Sequence, residues 1–150
     1  MTKAFDCALR LLARREHSAQ ELVGKLIQKA YSREEAEDAL RVCQHQQLQS
    51  DARFAEQLCR TRINQGYGPL RIRQELEAQR VSEDIIAQVL AEEEGNWPDH
   101  AQAVWLKKFK AQRPASLAEL KKQQRFLLYR GFPGDMIARV FKDNLNVVRA

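Results

Sequence analysis

Three stretches of this chain superpose: AYSREEAEDAL (30–40), RVSEDIIAQVL (80–90) and GFPGDMIARVF (131–141). Tyr31, Val81 and Phe132 share one position, Ala36, Ile86 and Ile137 a second, and Leu40, Leu90 and Phe141 a third. Leu26, Leu76 and Leu127 each stand five residues ahead of the first set, and the copies are offset by 50 residues (31 to 81) and 51 (81 to 132). Upstream, Phe54–Ile63 aligns with His100–Phe109, pairing Leu58 with Val104 and Ile63 with Phe109 at an offset of 46 (54 to 100). The third copy therefore has about five extra residues in or before its middle helix, the difference between the offsets of 51 and 46. Self-similarity at this period marks stacked units, each too small to bury its apolar face alone.

The units are helical. Six glycines and four prolines in 150 residues are too few for the turns of a sheet protein, and Ala, Leu, Glu, Gln, Lys and Arg abound. SAQE at 18–21, SREE at 32–35 and SLAE at 116–119 read as capping boxes, with Asp51 and Ser82 as further N-caps. Pro69 and Pro98 suit first helical turns. Nine helices are expected, near 3–15, 18–29, 32–47, 51–65, 69–80, 83–94, 98–112, 117–130 and 134–143. Apolar stripes at helical spacing run along them, such as Phe5, Leu9 and Leu12, or Ile85, Ile86, Val89 and Leu90. The expected fold is all-α: three tandem three-helix repeats over 1–50, 51–97 and 98–150, forming an elongated, curved array.

No apolar run reaches the roughly 18–20 residues that span a bilayer. MTKAFDCALRLLARRE, with Asp6 and Arg10, is no signal peptide. Cys7, Cys43 and Cys59, without CxxC spacing, fit free thiols in a reducing cytoplasm. Cys43 and His45 stand two apart and cannot share a helix face, His17 and His100 stand alone, and no nucleophile–base set is visible. No enzyme, cofactor or metal is expected. Gly24-Lys25 lacks the partner glycine of a phosphate loop.

Charge points to attachment. Basic and acidic counts are 8 and 7 in 1–50, 6 and 9 in 51–97, and 11 and 4 in 98–150, so the segments carry +1, −3 and +7 and the last third is the electropositive one. Such a block suits nucleic acid or an acidic protein surface, or serves solubility. On helix 8 the stripe is read as Leu117, Leu120, Gln124, Leu127 and Leu128. Lys122, Arg125, Phe126 and Tyr129 then lie on the opposite face, where interleaved cations and rings fit phosphate contact with base stacking, or docking on an acidic groove. Phe126 and Tyr129 buried against another repeat is the alternative. Lys107, Lys108, Lys110, Lys121 and Arg130 add to the field.

In the middle copy, Gly66-Tyr67-Gly68-Pro69 reads as a turn between helices, with a glycine closing helix 4 in a left-handed cap. Tyr67 then packs on a neighbouring helix or meets a partner. Arg62 falls within the stripe of Phe54, Ala55, Leu58, Cys59 and Ile63, where a cation needs a partner such as Glu75 or a ligand. Arg71 and Arg73 flank the Ile72–Leu76 stripe, and Arg71 stands four before Glu75.

The motif Arg-x-x-x-Gly-Tyr-Gly-Pro-x-Arg-Ile-x-x-Glu-Leu, Arg62 to Leu76, resembles the middle-repeat signature of the RecX family. SDARFAEQLCRTR (50–62), SAQELVGKL (18–26) and RFLLYRGFPGDMIARVF (125–141) are similar to other parts of the family pattern. The resemblance covers essentially the whole chain. One departure is Arg80-Val81, where the family often has Lys-Gly. A non-enzymatic monomer is expected, and the resemblance implies an all-helical, elongated modulator that binds RecA filaments on single-stranded DNA and lodges in the filament groove. There it inhibits ATP turnover, strand exchange and co-protease activity. By the residues alone, a general nucleic-acid-binding module that contacts single- or double-stranded DNA, or an unrelated helical adaptor, stays open.

A compact globule of this length has a radius of gyration of about 15 Å. Small-angle scattering is expected to return a clearly larger value, and a radius at the globular limit would count against a row of repeats.

Overall fold

The computed structural model describes residues 2–144. Among the described residues there are nine α-helices and no strand. They are α1 (Lys3–Arg14), α2 (Ala19–Gln28), α3 (Arg33–His45), α4 (Asp51–Asn64), α5 (Pro69–Ala78), α6 (Glu83–Ala91), α7 (Trp97–Phe109), α8 (Leu117–Tyr129) and α9 (Gly134–Asn144). The chain is an all-α tandem-repeat fold.

Two compact units can be distinguished. One comprises Met1–Leu58 with Leu76–Val89, and the other Cys59–Glu75 with the residues from Leu90 on. The middle repeat supplies helices to both.

In the first unit α1 and α2 pack on α3. Phe5, Ala8, Leu11, Leu22, Leu26, Ala36, Ala39 and Cys43 form its core. Small residues on α3 let the neighbouring helices approach closely. The serines act as caps: Ser18, Ser32, Ser82 and Ser116 each accept from a backbone N–H three residues on. Ser32 completes a capping box, because Glu35 reaches back to its N–H. Glu21 does not, since its carboxylate is held by Arg15 at 3.0 Å.

Asp51 does not cap its own helix. Ser50 takes that place, accepting from Arg53 N–H at 3.2 Å. Asp51 Oδ1 instead accepts from Ala19 N–H at 2.8 Å and from Gln49 Nε2 at 3.0 Å. It thereby places a carboxylate at the positive end of α2.

Helix ends follow one pattern. At Ala30, Gln47, Gly66, Arg80 and Gly131 the backbone turns left-handed. The following N–H then returns to a carbonyl five residues earlier, as in Tyr31 to Leu26, Tyr67 to Arg62, Val81 to Leu76 and Phe132 to Leu127. These are Schellman closures. After the closures at Ala30, Arg80 and Gly131, the apolar residue is the repeat's matched Tyr31, Val81 or Phe132. Arg80 at φ 56° keeps the turn without glycine, at a cost of roughly 1 kcal/mol.

In the second unit α7 packs on α9 and α8. Trp97, Ala101, Trp105, Leu127, Phe132, Ile137, Val140 and Phe141 are buried. Trp105 meets Phe141 edge-on with centroids 6.3 Å apart. Its indole N–H donates to Gln123 at 2.7 Å, and Gln123 donates to the Gln112 carbonyl at 3.1 Å. The stripe of α8 therefore turns away from its sequence reading. Gln123 and Leu127 face inward, while Leu117 and Leu128 are 63% and 54% exposed. The amide satisfies a buried indole, which no leucine could do. The third copy's extra residues go to the 110–116 connection and to a middle helix of 13 residues against 10 in α5.

His17 is buried in the first unit. Its Nδ1 lies 3.0 Å from the Arg15 carbonyl and its Nε2 3.0 Å from Lys25 Nζ. A carbonyl only accepts and an ammonium only donates, so the ring is neutral with its proton on Nδ1. Burial holds its pKa below the ordinary 6.5. The folded state thus takes up a proton less readily than the unfolded chain. Its contribution is complete above pH ~6.5 and is lost as pH falls from there toward the folded value. Denaturant midpoints measured from pH 7 down to 5 are expected to fall, and to fall less in His17→Gln; equal slopes would remove His17 as the cause.

Candidate binding surface

The second unit contains all thirteen residues singled out for binding. Its geometry starts from two glycine turns. Gly68 N–H donates to the Arg130 carbonyl at 2.7 Å, and Leu70 N–H to the Gly131 carbonyl at 2.9 Å. The open carbonyls at the end of α8 thus satisfy open donors at the start of α5, and Pro69 between them has no N–H to satisfy. The approach leaves no space for side chains. A Cβ on Gly68 would stand 2.6 Å from the Gly131 carbonyl oxygen, and one on Gly131 (φ +95°) 2.7 Å from Arg71 N.

Joined in this way, the turns bring four side chains into a ladder. The Arg71 guanidinium lies 4.4 Å over the Tyr67 ring, and Arg130 lies 4.9 Å over the same ring. Arg130 also lies 5.2 Å over Phe126, as Lys108 does at 5.3 Å. Phe126 meets Phe109 edge-on, with centroids 5.5 Å apart. Arg130 is fixed further by a 3.1 Å hydrogen bond to the Gln65 carbonyl. Beside the ladder lies a cleft of about 390 Å³. Ile63, Ala103, Val104 and Phe126 give it apolar surface, and Lys107, Lys108 and Arg130 line it with charge. No carboxylate is among its described lining residues. His100 at one end is turned to Glu93 at 2.9 Å, and this bond holds the Glu93 carboxyl below the usual range.

Other candidate residues are placed differently. Arg62 is a structural cation: its Nε donates to Glu75 at 2.7 Å and its Nη1 to Gln65 at 3.0 Å. Arg62 takes Glu75, and the Arg71 guanidinium lies over Tyr67. Arg73 is half-buried and engaged within the fold. Lys110 ends α7 in a left-handed turn. Lys121, Lys122, Arg125 and Tyr129 lie outward on α8, with Tyr129 73% exposed. Phe126 does not join them on that open face, because it is half-buried in the ladder. Sequence reasoning missed Phe109, Gln65 and Val104 as parts of the site. The signal for Phe109 was its alignment with Ile63, since both stand at the last apolar position of their helices.

Comparison with known proteins identifies the lineage. Residues 4–41, 50–90 and 98–141 match, in order, the first, second and third three-helix domains of RecX. The chain belongs to the RecX family. It is 55% identical over 143 residues to the Regulatory protein RecX of Legionella pneumophila (strain Corby), covering 95% of each chain. It is 45% identical over 133 residues to the Regulatory protein RecX of Pseudomonas putida (strain KT2440), covering 89% of this chain and 85% of that one. A crystal structure of regulatory protein RecX superposes with a TM-score of 0.79 at 27% identity, over 94% of this chain and 70% of that one. The RecX of Lactobacillus salivarius shares the fold, with a TM-score of 0.79 at 19% identity over 95% and 94% of the two chains. RecX proteins are regulators. No described helix here is long and apolar enough to cross a membrane. Among the described residues, no group of three or more His, Cys, Asp or Glu could hold a metal ion.

Gly68→Ala is expected to destabilise the fold by about 1–3 kcal/mol, because the added methyl meets backbone that cannot move aside. Denaturant unfolding measures this; an unchanged midpoint would mean the two turns separate freely.

Proposed function

We propose that this protein binds a RecA-like recombinase filament on single-stranded DNA and lowers its ATP hydrolysis, strand exchange and co-protease activity. It works without cofactor or metal, as a cytoplasmic monomer whose repeats, 1–50, 51–97 and 98–150, serve as successive contact modules. The observation that carries this reading is the unbroken series of three RecX domains along a chain 55% identical to a named RecX regulator. The cation-rich surface of the second unit supports it, since it offers attachment to a negatively charged assembly. Several modest contacts along one filament gain effective concentration, so affinity for filament exceeds affinity for a lone protomer.

A second reading, a general nucleic-acid-binding module, rests on the outward cations and ring of α8: Lys121, Lys122, Arg125 and Tyr129. Phosphate contacts of that kind weaken by roughly 0.7–0.9 log units per contact for each decade of salt. Added at stoichiometric amounts to RecA on single-stranded DNA, the protein is expected to slow ATP hydrolysis; unchanged turnover rejects the filament reading. Replacing Lys108, Lys122 and Arg125 together is expected to flatten the salt dependence of bare-DNA binding. If inhibition survives while bare-DNA binding is lost, protein contacts carry the function.

A further inference from the structure

We propose that the cleft between the Gly66 turn, α7 and α8 docks an acidic protein segment that inserts one aliphatic side chain. The proposal deepens the filament reading and rests on it only for the identity of the partner.

The rings decide against a nucleobase. Stacking needs an open aromatic face. Tyr67 has the guanidiniums of Arg71 and Arg130 over it, and Phe126 has Arg130 and Lys108. Phe126 is also turned edge-on to Phe109. A base would have to displace these cations.

Stacked guanidiniums still present their N–H groups in the plane of the fork, where a carboxylate is received. Arg130 lies over two rings and donates to the Gln65 carbonyl, so part of its rotamer freedom is already spent before binding. Three of the cleft's eleven described lining residues are aliphatic. Ile63, Ala103 and Val104 offer nothing to a phosphate backbone, yet suit a leucine or valine side chain. With Lys107 and Lys108 beside them and no carboxylate in the described lining, the cleft complements an apolar side chain flanked by acidic ones.

The probe is a short fluorescent peptide of Asp and Glu with one central leucine, titrated by anisotropy into the full-length protein. Its counterpart has glycine for the leucine at the same net charge, and labelled oligothymidylate is the nucleic-acid arm. Ala103 and Lys107 are exposed helical positions, so Ala103→Glu and Lys107→Glu keep the fold. Each is expected to weaken the leucine peptide about tenfold or more, as is the change of leucine to glycine. Equal binding of the two peptides, or binding unaffected by both substitutions, overturns the proposal. So does oligothymidylate binding that is tighter than the peptide's and lost in the same variants. The peptide titration decides the matter whatever the recombinase assay returns, because ATP hydrolysis tests the filament reading separately.

Discussion

The second unit depends on a backbone contact that only glycine permits. Where α8 ends and α5 begins, two main-chain hydrogen bonds cross between turns. Each turn is thereby the other's cap. The last carbonyls of one helix and the first amides of another carry opposite partial charge, so the contact is favourable in electrostatics as well as in hydrogen bonding. It requires Gly131 to be left-handed and Gly68 to lie against a carbonyl. The chain GYGP is thus one half of a joint whose other half is RGFP, 63 residues later (68 to 131). A motif that reads locally as a flexible turn is fixed by its distant mate.

The joint selects how charge is used nearby. Arg62 and Glu75 form a direct pair, both partly shielded, which ties α4 to α5. Nearby, the Arg71 guanidinium lies over the Tyr67 ring. Arg130 does the same between Tyr67 and Phe126. Contacts of this type contribute roughly 0.5–1 kcal/mol each at exposed sites, little more than a surface ion pair. Their consequence is geometric. Cations that would otherwise sweep through solvent on long stems are held in register, and the positive field of the last third acquires a defined shape beside the cleft.

Much of the fold was legible because helix punctuation is local. Serine caps, first-turn prolines and the residue after each left-handed closure are set within five residues of chain. The repeats magnified that signal by showing it three times. Errors arose where a side chain answers a partner far away in sequence. Asp51 looked like a cap for the helix it begins, and its carboxylate serves Ala19 instead. The apolar spacing of helix 8 runs through Gln124, yet it is Gln123 that the Trp105 indole needs inside as an acceptor. Helix 8 is correspondingly rotated from its apolar reading, with Leu117 and Leu128 on the surface. The same limit applied to the binding residues. Arg62–Glu75 was foreseeable from charge in a stripe, but the stacking of Arg71 and Arg130 on Tyr67 depends on a joint that no periodicity reports.

The titratable groups extend this argument about chemistry. Those with a displaced pKa are tied to neighbours or buried within the fold. Burial, aided by Glu93 and Glu92, pushes the Cys59 thiol up to about 11, and burial raises Cys43 as well, so both stay protonated at neutral pH. A thiol is nucleophilic as the thiolate, and these are its poorest conditions. His17 has both nitrogens occupied, one donating to a carbonyl and the other accepting from Lys25. Burial pushes the Glu21 carboxyl up, but its hydrogen bond and charge contact with Arg15 prevail and keep it ionised. Groups that could move protons are committed to holding helices together. The cations that remain accessible on α7 and α8 are lysines and arginines, each of which offers charge and several hydrogen-bond donors. That composition suits electrostatic attachment to an acidic partner and offers no proton-transfer group of its own.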